Sequence, residues 1–145
     1  MAMQYSSAGD DVPQLLFEAI LPLLGIVHSA RTISPGKVGI LRALAAEEHV
    51  SATQLRRAIG VSQQAISLTT KELESLGFIE RHKDESDRRK LWFHLTEAGR
   101  QKLHIEIALG RQALKDAIGN ELSDAELKLV HDAIPALAKI RKATY

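Results

Sequence analysis

Gln63, Gln64, Ser67 and Lys71 stand close together in the run SQQAISLTTKELES, Ser62 to Ser75. They do not form a catalytic set. A glutamine amide can pair with the N6 and N7 edge of adenine, a serine hydroxyl can bond several base edges, and a lysine neutralises a phosphate. Ser62 stands ahead of them as a helix N-cap, and a helix N-terminus itself favours an approaching phosphate. Thr70 reads on the same polar side, opposite Ile66, Thr69, Leu73 and Leu76. A merely solvated polar face has the same composition, so a second group of residues has to decide. That group is Arg88 and Arg89, with Lys83 and Lys90 beside them, in the charged stretch ERHKDESDRRK. An arginine at a hairpin tip can enter a narrow minor groove, where the potential is most negative. Asp87, just before them, costs affinity near DNA and reads as a brace that pairs with Arg88 or Arg89.

These side chains need elements to hold them. Ser51 and Gln54 have capping-box spacing and open a short helix with Leu55 and Ile59 inside. Gly60 ends it where a positive φ is needed, Ser62 opens the next helix, and Gly77 stops that one. Phe78–Lys83 and Lys90–Leu95 then read as strands, with Leu91, Phe93 and Leu95 alternating with Trp92 and His94. Trp92 reads as cross-strand cover for the hairpin. Thr96 starts a long helix through Leu103, Ile107, Leu114 and Ile118 that is expected to break at Gly119-Asn120. Ser123 and Glu126 form a second capping box, opening a last helix on Leu127, Val130, Ile134 and Leu137, with Pro135 bending it. Ahead of all this, Ser34-Pro35 opens a helix carrying Val38, Leu41, Leu44 and Ala45 and ending near Glu48. Val12 to about Arg31 is a helix apolar on most of its circumference, kinked at Pro22.

The fold class is therefore mainly α with a small β-hairpin wing (α+β): a winged helix-turn-helix with N- and C-terminal dimerisation helices. Residues 1–33 form the N-terminal dimerisation helix, 34–98 the winged helix-turn-helix DNA-binding domain, and 99–145 the C-terminal dimerisation helices. Neither end helix can bury itself on so small a core, which makes a homodimer the economical solution.

Composition sets limits on this reading. A chain of 145 residues that is 45% hydrophobic can build one compact core, and a net charge of +1 makes the placement of basic residues, not their number, the argument for DNA. Poor order is expected only over the first ten residues and the extreme C-terminus. The absence of cysteine excludes disulfides, thiolate metal sites and cysteine nucleophiles. There is no Gly-rich phosphate loop, no G-x-S-x-G elbow and no H-E-x-x-H, so an enzyme is not expected. The apolar run LLFEAILPLLGIV carries Glu18 and Pro22, is shorter than a spanning helix, and follows Asp10 and Asp11 instead of a basic residue. It reads as a buried helix and a subunit interface in a cytoplasmic protein, with no membrane partner.

Asp87-Arg88-Arg89, then Leu95-Thr96 and Gly99, preceded by Leu73, Gly77, Ile79, Glu80 and Arg81, resembles the signature of the MarR (multiple antibiotic resistance regulator) family. The resemblance covers nearly the whole chain, and the pattern D-x-R followed by L-T-x-x-G carries it. It implies a homodimeric, ligand-responsive repressor bound to a pseudopalindromic double-stranded operator and released by a small aromatic or phenolic effector. Leu68 departs from the family, whose members often carry a basic residue there; either a phosphate contact is missing or Leu68 meets a thymine methyl instead. In such a protein His28 and Arg31 are candidates for the effector cleft, His28 serving equally well as an interface residue.

His28, His49, His82, His94, His104 and His131 are scattered, and no spacing pairs two ligands on one helix face. No metal and no cofactor is expected from the sequence. A site assembled only in three dimensions stays open, because some regulators of this family hold zinc through histidine and carboxylate. The two rival readings are thus a metal-responsive regulator and a winged-helix protein-interaction module without operator specificity.

Overall fold

The structure, a computed structural model, describes residues 11–142. The two ends expected to be poorly ordered, 1–10 and 143–145, lie outside the described residues. The elements run α1 (Val12–Ser29), α2 (Pro35–Ala46), β1 (Val50–Ser51), α3 (Ala52–Ile59), α4 (Gln63–Ser75), β2 (Ile79–Lys83), β3 (Leu91–Leu95), α5 (Glu97–Glu121) and α6 (Asp124–Lys142).

The expected helix starts all form. Ser34, Ser62 and Thr96 accept the backbone N–H of Lys37, Ala65 and Gly99 at 3.3, 3.2 and 3.0 Å. Both capping boxes close: Ser51 N–H donates to Gln54 at 2.8 Å and Ser123 N–H to Glu126 at 2.9 Å, each with its return bond. A cap of this kind stabilises a helix by about 1 kcal/mol. The helix ends around the turn are equally defined. Gly60 closes α3 at φ +70°, and Gly77 (φ +76°) closes α4. There Phe78 N–H bonds Leu73 C=O and Gly77 N–H bonds Glu74 C=O, the paired bonds of a Schellman ending.

The strands form one antiparallel sheet in the order β1-β3-β2. Ile79 pairs with Leu95, Arg81 with Phe93, and Val50 with Phe93 from the other side. The core lies under this sheet, where Val38, Ile40, Leu41 and Leu44 of α2 meet Leu55, Ile66, Leu73, Ile79, Phe93 and Leu103. Each such side chain contributes roughly 1.5–3 kcal/mol by leaving water.

Four expectations need correction. α5 does not break at Gly119-Asn120; it runs on to Glu121 and stops where Ser123 begins the next cap. A glycine weakens a helix by only about 1 kcal/mol, too little to end one with 22 residues already wound before it. β1, two residues long, was not anticipated, because nothing in Val50-Ser51 distinguishes it from a loop until β3 pairs with it. α2 ends at Ala46, not near Glu48. On α4 the buried face is Ile66, Thr70 and Leu73, while Leu76 is 53% exposed.

α1 and α6 stand apart from the core. Contrary to the expectation of a short, buried run, α1 is long and apolar enough to cross a membrane and has no buried residue in one chain, yet it lies along α5. Leu127, Leu129, Val130, Ile134, Leu137 and Ile140 of α6 are all exposed.

Candidate nucleic-acid interface

α4 presents Gln63, Gln64 and Lys71 to solvent with Ser67 half-buried beside them, and Leu68 is 61% exposed on the same surface. Ser62 uses its hydroxyl oxygen to cap the helix, leaving its O–H free to donate. Thr70 does not belong to this surface. It is 4% exposed, and its hydroxyl donates to Ile66 C=O at 2.7 Å. A threonine hydroxyl that satisfies itself on the preceding turn can be buried at little cost, which a simple polar-versus-apolar sorting misses.

The loop between β2 and β3 is organised by two carboxylates. Asp87 accepts the Arg89 backbone N–H at 3.0 Å, and Lys90 N–H returns to Asp87 C=O at 2.9 Å. Asp87 thus bonds the loop backbone in place of the expected side-chain pairing, and among the described residues neither Arg88 nor Arg89 has its guanidinium in an ion pair. The second carboxylate, Asp84, was not anticipated. Its Oδ1 accepts from Ser86 N–H, Ser86 Oγ and Asp87 N–H, and its Oδ2 accepts the Trp92 indole N–H at 2.9 Å. The Ser86 hydroxyl first, then the Trp92 indole and the backbone N–H groups, hold the Asp84 carboxyl well below the usual carboxylate range. Asp-x-Ser at the start of a hairpin loop was the available signal. Lys90 Nζ sits 4.8 Å from the centroid of the Trp92 ring two residues on, and the indole N–H anchors the loop through Asp84.

Recognition helix and wing meet. A groove of about 290 Å³ is lined by Thr53 at the start of α3, Gln63 at the start of α4, and Asp87, Arg89 and Lys90 of the wing. One continuous surface therefore offers amide, hydroxyl and cationic donors.

A second cavity lies where α1, α2 and α5 converge. It measures about 510 Å³ and is lined by Leu24, Val27, His28, Arg31, Arg42, Ile107 and Leu114 among others. His28 and Arg31 line it together, and Arg42 was not anticipated. Burial, then the neighbouring Arg42 charge, lowers the Arg31 pKa, while Glu106 acts in the opposite sense. Arg31 Nε donates to the Glu106 C=O at 3.3 Å. The Glu106 side chain, fully buried, accepts the Thr32 N–H at 2.9 Å and the Thr32 hydroxyl, and pairs with Lys102 Nζ at 2.9 Å. Burial pushes its pKa up, but these bonds outweigh that and leave it lowered.

The histidines are less scattered than their spacing suggests. His49, His82 and His94 converge on the outer face of the sheet. His28 is half-buried in the cleft, whereas His104 and His131 are exposed.

A helix-turn-helix followed by a braced two-stranded wing, with cations at the tip and polar side chains along the second helix, defines a winged-helix DNA-binding protein. The MarR family profile matches residues 32–90. The helix-turn-helix transcriptional regulator YwhA of Bacillus subtilis is 31% identical over 69% of this chain and 71% of its own length. A protein described as the transcriptional regulator of the hcr operon in Thauera aromatica is 35% identical over 69% of this chain, a match that spans 60% of that protein's length. Among solved structures, Bordetella bronchiseptica BpsR, whose DNA binding is regulated by 6-hydroxynicotinic acid, superposes with a TM-score of 0.65 at 20% identity over 88% of this chain and 98% of that one. A MarR family regulator from Streptomyces coelicolor in complex with DNA gives 0.65 at 19% identity over 93% and 92%. The chain belongs to the MarR family and is a DNA-binding transcriptional regulator.

Proposed function

We propose that this regulator is a ligand-responsive repressor that grips a pseudopalindromic duplex operator as a homodimer in the cytoplasm. Ser62, Gln63, Gln64, Ser67 and Lys71 enter the major groove on α4, with Leu68 available to a thymine methyl. Arg88 and Arg89 reach the flanking minor groove or backbone, on a tip that Asp87 and Asp84 hold in shape. The observation that carries this reading is the shared groove of Gln63 and Arg89, which sets reader and wing on one surface. The family match and these exposed donors favour DNA over a protein-interaction module.

The cleft takes the effector. Its volume is that of a small-molecule site, its wall is apolar, and Arg31, Arg42 and His28 suit a carboxylate or phenolate. BpsR's response to 6-hydroxynicotinic acid supports an aromatic acid as the class. The dimer closes over the exposed apolar faces of α1 and α6, which no described residue of one chain covers.

Fluorescence anisotropy with an operator duplex at fixed salt tests this. Arg89→Ala weakens binding about tenfold and lowers the salt slope by about one, while the dimer persists. Arg42→Gln binds the operator as the parent does but is no longer released by aromatic carboxylates. Parent-like affinity in Arg89→Ala, or parent-like release in Arg42→Gln, contradicts the corresponding assignment.

A further inference from the structure

We infer that the outer face of the sheet is a binding site for a divalent first-row transition metal such as zinc, held by His49, His82 and His94. The register places them there. Glu80 pairs with His94 and His82 with Trp92 across β2 and β3, so Glu80, His82 and His94 share the face opposite Phe93. His49 directly precedes Val50, which pairs with Phe93, and so comes beside His94 from the other edge. The three ring centroids lie 5.4 to 6.0 Å apart, and one ring nitrogen from each is within 4.8 Å of the other two.

The chemistry of the third histidine points to a cation. His94 Nε2 is 2.8 Å from Glu80 Oε2. An ionised carboxylate only accepts, so Nε2 carries the proton and Nδ1 presents a lone pair. That Nδ1 is buried and has no hydrogen-bond partner. Packing of the three rings, two pairs edge-on and one tilted, explains their proximity but leaves this atom unsatisfied, a rare and costly condition. A metal ion supplies the missing partner, and a carboxylate behind the ligating imidazole is the usual support for such a ligand. Tetrahedral zinc with bonds of about 2.0–2.1 Å needs nitrogens roughly 3.4 Å apart. His49 and His82 are both exposed, so they can close the remaining distance by rotating. Three imidazoles without thiolate suit zinc, copper or nickel and leave a fourth position for water.

The ion would join three pieces of chain: His49 from the α2–β1 connection, His82 from β2 and His94 from β3. It staples both wing strands to the body of the domain and stiffens the hairpin that presents Arg88 and Arg89.

The test uses untagged, metal-free protein titrated with zinc chloride against a chromophoric chelator. One ion per chain at micromolar affinity or tighter is expected. His82→Gln and His94→Gln each weaken it at least tenfold, whereas His131→Gln, on exposed α6, leaves it unchanged. Zinc raises the thermal midpoint of the parent by a few degrees, magnesium does not, and neither metal shifts His82→Gln. Circular dichroism establishes that His82→Gln, altered at an exposed position, is folded. Absence of saturable zinc binding, or binding that His82→Gln and His94→Gln leave intact, overturns the proposal. None of these readouts involves DNA, so failure of the metal site and failure of the repressor reading are separable.

Discussion

A carboxylate surrounded by donors stays ionised to lower pH than a free one, and this chain uses two of them in opposite settings. Asp84 does so at the surface, drawing two backbone N–H groups, a hydroxyl and an indole into one turn. Glu106 does so in the interior, where Thr32 and Lys102 converge on it and Arg31 bonds its backbone. Removing one partner of a buried pair leaves the other uncompensated, so Glu106→Ala should lower the unfolding free energy by about 3 kcal/mol. Because the folded pKa of Glu106 lies below the ordinary 4.5, its contribution is complete above that value and is lost as pH falls through the lower folded pKa. Urea unfolding of parent and variant at one protein concentration should show a gap at pH 7 that narrows on acidification. A constant gap would mean that Glu106 acts through packing alone. Asp84 was legible as an Asp-x-Ser turn, but a lone glutamate on a helix gives no sign that Thr32, 74 residues away, will bury it.

The caps of α2, α3, α4, α5 and α6 were legible because each depends on residues within three positions of one another. So was the turn, through Gly60 and Gly77. What escaped was decided by partners distant in sequence: β1, which exists only beside β3, and the histidine cluster, which needs the sheet register. Thr70 escaped for a local reason, since its hydroxyl bonds its own helix. α5 illustrates both kinds of constraint with its glycines. At Gly99 an added Cβ would overlap the Phe78 carbonyl oxygen and approach Leu95 Cδ1 to 2.8 Å, because Thr96 clamps the helix start onto Gly77 and Phe78. At Gly119 an added Cβ meets nothing within 4 Å. Gly99→Ala should therefore destabilise by about 2 kcal/mol, and Gly119→Ala should stabilise by about 0.5–1 kcal/mol. Denaturant midpoints decide both, and equal effects at the two sites would refute the distinction.

Across the whole molecule, the DNA-reading unit has a core of its own, whereas α1 and α6 have apolar faces without one. Val12, Leu15, Phe17 and Leu21 on α1 and Ile134 and Leu137 on α6 are each at least 43% exposed. If a second copy covers them, stability is tied to association, and the thermal midpoint should rise with protein concentration. Ile134→Asp should then sediment as a monomer with the winged core still folded, and operator binding should fall steeply because two half-sites can no longer be gripped together. A dimeric Ile134→Asp would move the interface elsewhere.

The position of α1 along the chain has a last consequence, for synthesis. Its packing surface includes Gly110 on α5, where Val27 and Arg31 of the α1 region close in. The ribosome makes α1 before that surface, with the entire DNA-reading unit between them. During that interval the nascent chain carries an apolar helix with nothing to dock on, and the winged core still lacks Leu103 of α5. Docking of α1 therefore waits until the DNA-reading unit and the first half of α5 have both been made.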